Sequence, residues 1–368
     1  MLTNLTEYIS PIFPVKSKQL FKGDAGNPFL APRGVFICNN KLIVSDTGQN
    51  RVFIWNEIPQ EEYQAPDVVL GQEFSSGTGR NNGNKVTASS LQYPSGIWSD
   101  GHRLIVADAW NHRVLIWHSF PTQHGQPADV VVGQPGFETN EPNVIGLGKP
   151  PSSQSLYWCY GVWVHEEKLF VADTGNRRIL VYHAIPTQNY VRADGVIGAP
   201  NFIEKDYDPH SAIWPYSIKV SERGEVAITD TQYFRVLYWP SVAAALSASA
   251  EMVFGQPGLQ SNGQNQYLLR PAPHTLNWCY DSMFYKNGIW IADTGNSRLV
   301  WHSHISKEAN PPAYRLIGHD DFLTGSENME TVRTTENSLY WPFAISIDEN
   351  RMAVADTGNH RIILYELL

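Results

Sequence analysis

Short apolar runs, each broken off by turn-forming residues, recur along the whole chain: RVFIW, RVLIW, RILVY, RVLYW, RLVW and RIILY. Runs this short, rich in Val, Ile, Leu and Trp, predict strands. Helical periodicity is nearly absent, and SVAAALSASA (241–250) is the one stretch that predicts a short helix. Ahead of each run stands another that ends in Asp: VSDTGQNR, VADAWNHR, VADTGNRR, ITDTQYFR, IADTGNSR and VADTGNHR. The Asp falls at 46, 108, 173, 230, 293 and 356, at intervals of 62, 65, 57, 63 and 63, and an Arg follows each one five residues later. Self-similarity at such a period marks a repeat architecture.

Other landmarks hold the same frame. Gly71, Gly133, Gly198, Gly255 and Gly318 each close a β-rich run 25 residues after the Asp (DVVLG, DVVVG, DGVIG, EMVFG, YRLIG). Upstream, the signposts Pro32, Pro94, Cys159, Pro215, Cys279 and Pro342 open an alternating run 14 residues before the Asp, or 15 for Pro215. Each unit therefore reads as four short strands, the content of a propeller blade. The sixth unit stops at its third strand, while KQLFKG (18–23) is an unassigned strand near the N-terminus. Pairing the two closes a ring and protects edges that would otherwise be open. The expected fold is all-β: a six-bladed β-propeller of four-stranded blades, closed by a strand at about 18–23. Residues 1–16 are then an N-terminal extension and 17–368 a single domain.

These residues resemble the NHL-repeat family, whose repeat carries a D-x-x-N-x-R core. Asn111, Asn176, Asn296 and Asn359 match its Asn, whereas Gln49 and Tyr233 depart from it. The resemblance covers about residues 17 to 368. It implies a six-bladed propeller used for protein interaction, RNA binding or catalysis, so it bears on fold more than on function. A related propeller, the peptidyl-hydroxyglycine amidating lyase, uses a metal bound within the ring, but its His ligand pattern does not map onto this chain.

Charge narrows the choice. The net value is 27 − 36 = −9, and no Lys/Arg run exceeds two residues. A nucleic-acid backbone or an anionic membrane surface demands a basic footprint, so neither is an expected partner. No stretch approaches the roughly 18 apolar residues that span a bilayer. The first thirty residues hold no signal-peptide core, being interrupted by Pro11, Pro14 and Pro28, so a soluble, cytoplasmic protein is expected. There is no P-loop, dinucleotide fingerprint, nucleophile elbow or H-E-x-x-H.

Six-fold use of the Asp and Arg marks a device of the fold: the Asp is expected to accept N–H groups of the following turn and the Arg to pair with it. The Trp or Tyr four residues after the Arg (Trp55, Trp117, Tyr182, Trp239, Tyr365) is expected to pack between blades. His112 and His360, in the repeat turn, are expected at the surface, and His118, His183 and His302 at the rim. Length varies in one segment, from the Gly to the next signpost, where the gaps are 23, 26, 17, 24 and 24. These loops must share one face of the disc, and variable loops on a rigid scaffold carry binding and catalysis.

The signposts then ring the channel mouth, in an aromatic setting: QYPSG, YWCYG, IWPYS, NWCYD, YWPFA. If residues two apart share a side, Trp158, Tyr160, Trp214, Tyr216, Trp278, Tyr280, Trp341 and Phe343 form an aromatic wall for a flat or cationic small molecule. Cys159 and Cys279 stand where the repeat has Pro, with His210 and His274 nearby. Together they are candidates for a metal site or, for the thiols, a reactive thiolate. No short C-x-x-C or H-x-H spacing supports either. Asp281, where other blades have Gly161, Ser217 or Ala344, is a candidate acid/base or cation ligand. No cofactor is required by the sequence, and a single transition metal is the one it leaves room for. The expected function is a binding or interaction scaffold with a small molecule or protein on the loop face. The alternative is a metal- or thiol-dependent lyase or hydrolase at the channel mouth.

Overall fold

Each repeat unit folds into one four-stranded antiparallel sheet, and six such sheets form the ring. The structure is a computed structural model that describes residues 10–205, 208–303, 305 and 310–368. Residues 1–9 of the expected N-terminal extension lie outside the described residues. The innermost strands, in blade order, are Gly34–Cys38, Pro94–Ser99, Cys159–His165, Pro215–Val220, Asp281–Tyr285 and Pro342–Asp348. In blade three, the inner strand is followed by Lys168–Asp173, Arg178–Tyr182 and the outer Gly195–Ile197, each paired with the one before. Third strands such as Arg51–Trp55 and Arg113–Trp117 are buried at every position. A sheet sandwiched between two others has no wet face, which is why these segments read as unbroken apolar runs rather than as alternation.

The ring closes through the N-terminal strand. Val15–Phe21 pairs antiparallel with Arg361–Leu367, bringing Lys18 opposite Tyr365, and starts three residues earlier than its apolar pattern suggests. Just before it, the Phe13 N–H donates to the Leu316 carbonyl at 2.8 Å. Its ring meets Trp290 and Trp301 edge-on. The helix expected within 241–250 forms over Val242–Ser247, where the Ser241 hydroxyl caps it by accepting from the Ala244 N–H. Among the described residues no helix is long and apolar enough to cross a membrane.

All six repeat Asp–Arg pairs form, with Nε–Oδ2 distances of 2.7–2.9 Å, and both side chains are buried. The other carboxylate oxygen does not serve the following turn, as expected from sequence. It accepts instead from the backbone N–H sixteen residues upstream, that of Leu30, Gln92, Tyr157, Trp214, Asn277 or Tyr340. The turn itself is a single 3₁₀ turn closed by a left-handed residue, such as His112 or Ser297. The Arg reaches further. In blade two, Arg113 Nη1 donates to the Phe137 carbonyl at 2.6 Å, and Nη2 donates to those of Thr87 and Ser90 at 2.9 Å. In blades two to five the clamp thus fastens a strand end to the loops on either side, and in blade six Arg361 reaches the preceding loop. Removing one partner of such a buried pair strands a charge, at a cost of about 3–5 kcal/mol.

Neighbouring blades are stitched by the Thr that follows the Asp. Thr47, Thr174, Thr231 and Thr294 each donate to the signpost carbonyl of the next blade: Pro94, Pro215, Cys279 and Pro342. Thr357 donates to Pro32, joining the last blade to the first. Ala109 leaves blade two without this stitch.

The long loops, irregular in sequence, carry a hidden repeat. Ten residues after the closing Gly, in four of the five loops, stands an Asn with left-handed φ: Asn81, Asn143, Asn265 and Asn328. Its amide pairs with the Asn of the next blade's repeat turn, Asn111, Asn176, Asn296 or Asn359, and the donation runs in both directions. Blade four has Tyr233 in place of the turn Asn, and the loop before it carries Asp208 at the matching place. The two departures occur together because neither amide has a use without the other.

Candidate functional site

At the loop face of blades two, three, four and six the chain enters the inner strand through a signpost residue paired with the repeat Asp, followed by a register shift. That shift breaks strict alternation. Tyr93, Trp158, Trp278 and Trp341, each one residue before a signpost, have φ of 56, 50, 45 and 52° and lie outside the strands. The residues around the mouth therefore separate into two tiers. The residue before each signpost gives an upper tier: Ala31, Tyr93, Trp158, Trp214, Trp278 and Trp341. The residue after it gives a lower tier: Arg33, Ser95, Tyr160, Tyr216, Tyr280 and Phe343.

The lower tier fills the channel. Ring centroids of Tyr160 and Tyr216 stack at 4.6 Å, Tyr216 meets Tyr280 edge-on at 4.7 Å, and Tyr280 meets Phe343 at 4.2 Å. Blades one and two contribute no ring to this tier, and Arg33 occupies the gap. Its guanidinium lies 4.2 Å from the Phe343 centroid and 5.2 Å from that of Tyr93. It forms no ion pair with a carboxylate among the described residues, and its strongest electrostatic neighbours are phenols, that of Tyr216 foremost. Burial pushes the Tyr280 phenol up to about 12 and raises that of Tyr216 as well, so both stay neutral donors. No hydrogen bond of good geometry reaches the buried hydroxyls of Tyr216 and Ser95.

Above this plug, between blades five and six, lies a bowl of about 490 Å³. Trp278 and Trp341 form its walls, Tyr280, Phe343 and Arg33 its floor, and Glu327 part of its rim. Trp278 is 40% and Trp341 43% exposed. Trp158 and Trp214, from the adjacent blades three and four, meet edge-on at 6.2 Å, outside the bowl lining.

Below the plug the channel narrows to about 30 Å³ of free space, enough for one or two waters. On one side the inner strands touch backbone to backbone. A Cβ at Gly161 would stand 2.7 Å from the Tyr216 carbonyl, and one at Gly96 2.6 Å from that of Tyr160. On the other side Asp281, 5% exposed, accepts from Lys219 Nζ at 2.8 Å and from the Ile345 N–H at 2.9 Å. This carboxylate ties blades four, five and six together, and Lys219 also lies over the Trp163 ring at 5.2 Å.

The thiols are placed differently. Cys159 donates to the Arg113 carbonyl and Cys279 to the Arg235 carbonyl, each reaching the preceding blade. Both are fully buried, in separate apolar clusters, and burial pushes each thiol well above its ordinary value. His210 Nε2 lies 3.5 Å from the Gln260 amide, and the His210 backbone N–H donates to Asp208 Oδ1. The His274 carbonyl accepts from Gln266. Among the described residues no group of three or more His, Cys, Asp or Glu is placed to share a metal ion. Two other histidines depart from expectation. His112 is buried rather than at the surface, accepting from the Trp158 N–H at 3.1 Å, and burial lowers it to about 4. His302 is 3% exposed rather than at the rim. It fills the position that Trp or Tyr takes in five other blades, and burial lowers it to about 3.

With this geometry in hand, the comparisons bear on fold alone. No family model and no curated sequence matches the chain. Among solved structures, one titled as a streptogramin B lyase aligns over 96% of this chain and 98% of its own, at 12% identity and a TM-score of 0.47. Virginiamycin B lyase from Staphylococcus aureus aligns over 96% and 100%, at 12% identity and 0.45. Hydrazine synthase from Kuenenia stuttgartiensis aligns over 92% and 77%, at 11% identity and 0.47.

Arg33 is the site residue that pattern reading along the chain misses. A signal exists, but across blades: in the column after each signpost, Arg33 and Ser95 stand among four aromatic residues.

Proposed function

We propose that the chain is a binding propeller of the NHL type that holds one small planar molecule in the bowl between blades five and six. The observation that carries this reading is the pair of half-exposed indoles, Trp278 and Trp341, flanking an open hollow in an otherwise tightly packed mouth. Leaving two indoles in water forgoes apolar burial, and such exposure in a concave site marks ligand recognition. The walls are held by rigid parts, since the Asn277 N–H just before Trp278 is fixed by the Asp293 carboxylate of the blade-five clamp. The D-x-x-N-x-R turns support the NHL kinship, and the long loops on the same face supply the rim.

The test is ligand-detected NMR with a panel of planar mono- and bicyclic fragments, run beside native mass spectrometry of freshly purified protein. Fragments should contact the wild type and lose contact in Trp341→Ala, with the melting temperature unchanged. If no fragment contacts the wild type and no small molecule co-purifies, the reading fails.

A further inference from the structure

We propose that the mouth selects an anion: a planar monocarboxylate whose charged end sits on Arg33 and whose ring lies between Trp278 and Trp341. This deepens the reading of the bowl as a small-molecule site and rests on it. A ring of aromatic faces, taken alone, invites a cation. Here the protein supplies that cation itself, because Arg33 already lies against Phe343 and Tyr93. A second positive charge would meet repulsion from a fixed guanidinium.

What the guanidinium lacks, among the described residues, is a paired carboxylate. The other basic group lining the narrow channel, Lys219, is already paired with Asp281, whereas Arg33 has only neutral phenols as its strongest neighbours. A half-buried guanidinium stacked on one face keeps its N–H edge for hydrogen bonds, and a carboxylate matches that edge with two parallel ones. Glu327, at the rim, is exposed. Its charge is screened by solvent and weakens the preference without reversing it.

Isothermal titration with three naphthyl probes separates the possibilities: the isosteric pair 2-naphthoate and 2-naphthamide, and the cationic 2-naphthyl trimethylammonium ion. In the wild type, naphthoate should bind about tenfold more tightly than naphthamide, and the ammonium ion more weakly than either. Arg33→Gln should erase the naphthoate advantage and leave naphthamide binding unchanged. Glu327→Gln should raise naphthoate affinity alone. Equal binding of naphthoate and naphthamide by the wild type would overturn the anion preference while leaving the planar-ligand reading intact. Binding of none of the three probes, with no contact from the wider fragment panel, would overturn that reading itself. Because the probe series is decisive on the wild type, a folding defect in the Arg33 variant would not blunt the test.

Discussion

At the residue scale, the chain places titratable groups where their charge state is dictated by burial. His302 packs against Phe254, with ring centroids 4.7 Å apart, and is lowered from 6.5 to about 3. A base whose folded value is depressed stabilises the fold fully above its unfolded value and loses that contribution as pH falls. The loss therefore begins near pH 6.5 and continues toward pH 3. Between pH 7 and pH 5 it amounts to about 2 kcal/mol for this one group. His302→Phe should lose correspondingly less stability over that interval, measured by urea unfolding at the two pH values. An identical loss in both proteins would show that His302 already binds its proton in the fold. His112 adds a similar slope over a narrower range, from 6.5 to about 4. Neither burial is visible to composition or spacing, because a His at the end of a strand reads as rim until the neighbouring blade covers it. The six Asp and Arg, by contrast, are legible at once, since each is half of a side-chain pair that the repeat preserves. The partner of the second Asp oxygen is not, because a backbone N–H leaves no mark in the residue alphabet.

At the element scale, the turn and the loop before it behave as one unit. Asn265 and Asn296 exchange two amide hydrogen bonds, of 3.0 and 2.8 Å, and both side chains are buried. Removing either should leave the other's amide unsatisfied, at about 1–3 kcal/mol, while removing both should cost less than the sum of the single changes. A double-mutant cycle with Asn265→Ala and Asn296→Ala, followed by urea unfolding, should return a coupling of about 1 kcal/mol or more. Strict additivity would mean that the pair contributes nothing. The pairing also explains why the loops look irregular along the chain yet hold a rigid rim. Their fixed point is a single Asn in a left-handed turn, and the residues around it vary. The upper and lower tiers of the mouth were hidden for a related reason. Counting in twos assumes an unbroken strand, but Trp158, Trp278 and Trp341 stand in left-handed backbone conformation ahead of the strands, and in blades two, three, four and six the register shifts just after the signpost.

At the scale of the whole molecule, the ring closes through the N-terminal strand and through contacts of the last blade with the first. The strand Val15–Phe21 covers the third strand of blade six, and Thr357 reaches across to Pro32. Deleting residues 1–21 would leave the edge Arg361–Leu367 unpaired, an open template for pairing with other chains. The truncated chain should melt at a lower temperature and associate with rising concentration by size-exclusion chromatography. Adding back a synthetic peptide spanning residues 13–23 should reverse both changes. A monomeric truncation of unchanged melting temperature would show that the five complete blades hold the ring by themselves. This closure was legible in the sequence, because a sixth unit lacking its outer strand and an orphan strand near residue 18 are complementary deficits.

The two-tier mouth has an optical consequence. The chain has twelve Trp, and those exposed beyond a third of their surface are Trp110, Trp278 and Trp341, all at the loop-bearing end. Of the remainder, Trp55, Trp117, Trp239 and Trp290 are wholly enclosed by the blades, and Trp158, Trp163, Trp214 and Trp301 are partly buried. Native fluorescence should therefore divide into a blue pool that acrylamide scarcely quenches and a red, readily quenched pool dominated by indoles at the mouth. The red pool is a built-in, label-free reporter of whatever settles between Trp278 and Trp341.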